Sequence, residues 1–110
     1  MLELNEWKIC IPNPFQNCQR IYPIQQKKVS RLIDELTKND ANIKKIIIFG
    51  SSVTSRCHVG SDVDVYVETN AEPKDLIKDF VPFAYDLWTD MTADQRLKTE
   101  ILKTGVVVYE

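Results

Sequence analysis

The 110 residues predict a layered α/β or α+β domain, and three stretches carry that prediction. Val29, Leu32, Ile33 and Leu36 fall at i, i+3, i+4 and i+7, the apolar stripe of an amphipathic helix. Ile46-Ile47-Ile48-Phe49 is a continuous apolar run, as expected of a strand buried on both faces inside a sheet. From Asp62 to Glu68 the pattern alternates with period two, setting Val63, Val65 and Val67 on one face and Asp62, Asp64, Tyr66 and Glu68 on the other. Helical and strand patterns then follow one another along the chain, the order that packs helices on a sheet.

Each element can be justified in turn. Trp7 to Ile11 fits a short strand, but Pro12, Pro14 and Pro23 break residues 1–23 into an irregular segment whose aromatics Trp7, Phe15 and Tyr22 cover the core. The domain proper is expected over 24–110. Its first helix runs from near Ile24 to near Asn39, where Asn39-Asp40 supplies a stop. A strand over Ile43–Phe49 ends at Gly50, and the loop Ser51–Gly60 leads to the alternating strand. Pro73 suits a first helical position, predicting a short helix to about Phe80. Phe83–Trp88 reads as a third strand. Thr92-x-x-Gln95 resembles a capping box, opening a helix that carries Leu97, Ile101 and Leu102 inward, with Gly105 as its cap. Val106–Tyr109 closes the chain as a last strand.

Composition sets bounds on function. A net charge of −2 and a pI near 5.4 disfavour binding to long nucleic-acid duplexes, which calls for a basic face. A nucleotide is still admissible, because bound cations reverse the local charge. No apolar run approaches the roughly 20 residues needed to span a bilayer. Met1–Glu6 is acidic and lacks the basic and apolar regions of a secretion signal, so a cytoplasmic location is expected. Cys10, Cys18 and Cys57 are odd in number and lack chelate spacing, which reads as free thiols. Cys57-His58 is accordingly a loop cysteine beside a solvated histidine.

The chemistry concentrates in two motifs. Carboxylates at i and i+2 on a strand point the same way with Cα atoms roughly 6.5–7 Å apart. Such a pair can converge on divalent cations, and magnesium suits hard oxygen ligands shared with phosphate. Alone, Asp62-x-Asp64 reads first as a solvent-facing polar strand face. The Gly50-Ser51-Ser52 turn after a buried strand changes that reading, since glycine allows close backbone approach and turn N–H groups seat phosphate oxygens. Asp86 sits mid-strand between Tyr85 and Leu87, which face the other way. It joins the same cation site if its strand neighbours that of Asp62 and Asp64; otherwise it is an edge aspartate facing water. Asp90, beyond the strand end, reads as part of the approach to the following helix.

Phe49-Gly50-Ser51, ten residues, then Asp62-Val63-Asp64, with a third aspartate strand at Tyr85-Asp86-Leu87, resembles the minimal nucleotidyltransferases (MNT domains, as in MntA-type antitoxins) of the DNA polymerase β-like superfamily. The resemblance runs from about Ile24 to Val106–Tyr109. It implies a nucleotidyltransferase fold, a mixed sheet flanked by helices. It also implies Asp62, Asp64 and Asp86 as catalytic ligands of one or two Mg²⁺ ions, with Gly50 and Ser51 holding nucleotide phosphates. The implied reaction transfers a nucleoside monophosphate from ATP or another NTP to an acceptor hydroxyl, with Asp86 additionally accepting the proton. Many members carry Arg and Gly soon after Gly-Ser; here Ser52-Val53-Thr54-Ser55-Arg56 intervenes, so Arg56 is balanced between a phosphate ligand and a solvated loop charge. Small members of the family pair with a HEPN-type protein as antitoxins, some by adenylylating it. A non-catalytic module that masks a partner is the competing expectation.

Overall fold

The computed structural model describes residues 5–110. Met1–Leu4, on which part of the leaderless reading rests, lie outside the described residues. Helix α1 spans Pro23–Asn39, with proline at its first position, where no intrahelical N–H is required. Its stripe of Val29, Leu32, Ile33 and Leu36 is buried, and the extended Asp40 ends it by donating its N–H to Leu36 O at 3.0 Å. Strands β1 (Lys45–Phe49), β2 (Val63–Glu68), β3 (Tyr85–Thr89) and β4 (Val106–Tyr109) form one sheet in the order β3-β2-β1-β4. β1 is antiparallel to β2 and β4, while β2 is parallel to β3, so the sheet is mixed. The isoleucine run therefore lies in the sheet interior, as its continuous hydrophobicity requires.

Alternation along the strands divides the core in two. Ile46, Ile48, Val63, Val65, Val67, Val106 and Val108 pack with the α1 stripe. Ile47, Phe49 and Tyr66 point the other way, against Ala93 and Ile101. Ile101 belongs to helix α2, Gln95–Thr104, so one helix flanks each face of this single α+β domain. Gly105 caps α2, its N–H reaching Ile101 O at 2.7 Å. Close approach, rather than backbone angle, demands glycine there, because a Cβ would strike Ile47 Cγ2.

Trp7–Ile11 is irregular rather than a strand, in keeping with the prolines that follow it; Trp7 N–H donates to Gln19 O at 2.7 Å and its ring meets Tyr22 edge-on. Three expectations need correction. The helix expected from Pro73 to Phe80 is a single 3-10 turn, Pro73–Asp75. Tertiary partners take the groups a helix would use: the Lys78 and Asp79 N–H groups donate to Glu35 Oε2, and Leu76 O accepts from Asn39 Nδ2. Glu35 is fully buried, and burial alone would raise its carboxyl; hydrogen bonds from Asn39, Arg31, Asp79 N–H and Lys38 outweigh that and hold it at about 2. The capping box is displaced. Thr92 Oγ1 accepts from Thr89 N, and Asp94 caps α2 by accepting from Leu97 N at 2.8 Å. Leu102 is 72% exposed, pointing away from the core that receives Ile101. Asp90 lies, as expected, in the turn that leads to α2, and its Oδ1 accepts from Thr69 N just after β2.

Candidate active site

The site lies at the C-terminal end of β1, where the chain leaves the sheet. Phe49 is opposite Asp64 in the antiparallel β1–β2 ladder, so the turn after Phe49 starts beside that carboxylate. Gly50 opens the 3-10 turn Gly50–Val53 with φ +74°, a conformation that side chains of L-residues rarely adopt. A Cβ at Gly50 would also collide with Asp64 Oδ2. Glycine is therefore required twice, once by the backbone and once by the carboxylate.

Asp64 and Asp86 are direct partners in the parallel β2–β3 register. Neighbouring strands run about 4.8 Å apart, so two like charges face each other across the ladder. The Asp64 carboxyl is pushed up to about 6, first by burial, then by the charge of Asp86, a hydrogen bond shared with it, and the charge of Asp62. β3 is the edge of the sheet and Asp86 is exposed, so both positions foreseen for it, beside Asp64 and open to water, hold together. Asp62 stands two residues before Asp64, ahead of the first strand residue, and is exposed.

A cleft of about 500 Å³ opens from Asp64 past Gly50, Ser51 and Arg56 to Leu97, Glu100 and Thr104 of α2. Arg56 lies on its rim, exposed, on the same cleft as Ser51. The α2 wall was absent from the sequence reading. Its signal is the i, i+3, i+7 spacing of Leu97, Glu100 and Thr104, which puts them on one helix side. Cys57 is buried and free, while His58 is exposed, its Nδ1 accepting from Gly60 N.

The donor set fits a hard divalent cation. The charge of Asp86 adds to the cost of ionising Asp64, and a cation between the two carboxylates would reverse that cost. Among the described residues, no three His, Cys, Asp or Glu side chains gather closely enough to hold a metal ion. Asp64 and Asp86 form the close pair, and Asp62 acts on it through its charge.

A family model described as polymerase beta, nucleotidyltransferase matches residues 31–110, from within α1 to the end of β4. No curated protein matches the chain.

Proposed function

The chain belongs to the polymerase beta-type nucleotidyltransferase family, and on that premise we propose that it transfers a nucleoside monophosphate, AMP from ATP, to an acceptor hydroxyl. The observation that carries this reading is the in-register pair Asp64–Asp86 beside Gly50, whose positive φ and missing Cβ bring the turn against Asp64. A nucleotide polyphosphate suits the adjoining cleft, with Gly50 and Ser51 seating phosphate oxygens and Arg56 adding a charged donor at the rim. Magnesium would be held by the close pair Asp64 and Asp86 with the charge of Asp62 beside them, and would stabilise charge on the α-phosphoryl group and on the leaving pyrophosphate. The acceptor oxygen forms its bond to the α-phosphorus as the bond to pyrophosphate breaks. The acceptor proton passes to the Asp86 carboxylate, which its exposed edge position leaves within reach of an incoming hydroxyl.

The acceptor we infer is a hydroxyl on a HEPN-type partner protein, so that the pair works as toxin and antitoxin. Support comes from the resemblance to minimal nucleotidyltransferases carried by Phe49-Gly50-Ser51, Asp62-Val63-Asp64 and Asp86. The test uses α-labelled ATP, Mg²⁺ and a purified HEPN-type protein. Label should move to the partner, and Asp62→Ala combined with Asp64→Ala should abolish transfer in a folded protein. Undiminished transfer by that double variant sinks the site. Absence of transfer by the parent chain, with full masking of the partner retained in the double variant, sinks the catalytic reading in favour of a binding module.

A further inference from the structure

Two adjacent glutamines on α1, Gln25 and Gln26, are both fully buried. Burying an amide is costly unless its groups are hydrogen-bonded, so each marks a place where the fold needs a polar tie. Gln26 ties the N-terminal segment: its Nε2 donates to Lys8 O at 2.9 Å and Ile21 O at 3.0 Å, and its Oε1 accepts from Cys10 N at 2.7 Å. Gln25 reaches the other way. Its Nε2 donates to Ser52 Oγ at 3.2 Å, Ser61 O at 3.1 Å and Asp62 O at 3.4 Å. The two carbonyls can only accept, so they fix the amide orientation with nitrogen inward. Ser52 belongs to the Gly50–Val53 turn and Asp62 leads into β2. One side chain thus spans both halves of the candidate site. The neighbouring Tyr22 N–H reinforces it by donating to Ser52 O at 2.8 Å.

We propose that Gln25 is a positioning residue that holds Ser52 of the phosphate-seating turn against Asp62 at the head of the carboxylate strand. The β1–β2 ladder sets Gly50 beside Asp64, but beyond it the loop of residues 54–61 has no regular structure of its own and is largely exposed, so Ser52 and Asp62 need a tie of their own. Gln25 Oε1 is buried with no partner, so every side-chain hydrogen bond of this residue runs through its nitrogen to the turn and the β2 entry. The position was legible as an anomaly: Gln25 lies four residues before Val29 on the apolar stripe, a polar residue at a core place.

The proposal rests on the nucleotidyl-transfer reading for its kinetic part only. The experiment compares Gln25→Met and Gln26→Met, near-isosteric changes at equally buried neighbours, by amide hydrogen exchange and by steady-state transfer of label from ATP with Mg²⁺. Gln25→Met should speed exchange at Thr54 and Val63, whose N–H groups donate to Ser51 O and Ala84 O, by about tenfold or more. It should lower kcat per folded molecule on the order of 10–100-fold with KM changed less, since mutual misplacement costs most at the reacting geometry. Gln26→Met should speed exchange at Trp7 and leave Thr54, Val63 and kcat unchanged. If Gln25→Met does not fold, Ser52→Ala, which removes one of the three acceptors, should shift the same two amides by a smaller factor. Equal exchange at Thr54 and Val63 in the two methionine variants, or in Ser52→Ala and the parent, overturns the proposal. A parent chain that transfers no label overturns the catalytic reading instead, and the exchange comparison still decides the role of Gln25.

Discussion

On strand β2, Val63, Val65 and Val67 are fully buried beneath α1, while Asp64 and Tyr66 between them face α2. The α1 side is closed across the sheet: valines and isoleucines of three strands meet one apolar helix stripe. On the α2 side the apolar cover reaches Tyr66, and beyond it β3 presents the exposed Asp86 and the 36% exposed Trp88. One strand therefore does two jobs by parity. Its odd positions stabilise the fold; of its even positions Tyr66 is covered from the α2 side, while the half-buried Asp64 lines the cleft and is free for chemistry. A face kept open for ligands must forgo some apolar burial, which the opposite face supplies.

This contrast can be broken at either face. The largest effect on stability should come from the closed side: Leu36→Ala, at a fully buried helix position, should cost about 2–5 kcal/mol. Chemical unfolding measures it, and nucleotide binding per folded molecule should be unaltered. A substitution there that left stability intact while abolishing binding would erase the division. Gly50→Ala should cost less stability, on the order of 1–3 kcal/mol for a strained backbone, yet damage the site more. Its Cβ meets Asp64 Oδ2, so Mn²⁺ binding followed by paramagnetic resonance should weaken at least tenfold. Leu102→Ala sharpens the comparison from outside both faces, since that side chain is exposed; its effect should stay within about 0.5 kcal/mol by thermal unfolding.

The sequence disclosed these faces unevenly. The alternation from Asp62 to Glu68 and the isoleucine run made β2 and β1 legible, because sheet burial imposes its own period. Strand pairing was not legible. That Asp86 stands in register with Asp64 depends on a parallel crossover through residues 69–84, and no residue in it announces the register. The lost helix after Pro73 has the same origin: Glu35, more than 40 residues away, takes the N–H groups of Lys78 and Asp79. Likewise Asp94, rather than Thr92, caps α2 because Thr89 already occupies the Thr92 hydroxyl. Local patterns gave the elements, while long-range hydrogen bonds decided where several of them stop.

The open face holds the Asp64–Asp86 carboxylate pair, and a cation between them would offset what its ionisation costs the fold. Asp64 has its carboxyl raised from 3.8 to about 6 by burial, Asp86 and Asp62. The folded state therefore disfavours its ionisation: no cost is present well below pH 3.8, the cost grows as pH rises from there toward 6, and it is complete above. The decisive measurement is thermal unfolding of the parent chain and Asp64→Asn at pH 4 and pH 8, with and without Mg²⁺. At pH 8 without Mg²⁺ the variant should melt a few degrees higher, about 1 kcal/mol corresponding to about 4–8 °C in a domain of this size. At pH 4 most of that difference should be gone, and Mg²⁺ at pH 8 should raise the Tm of the parent alone. An Asp64→Asn protein that melts lower at pH 8, or that gains as much from Mg²⁺ as the parent does, would contradict the claim.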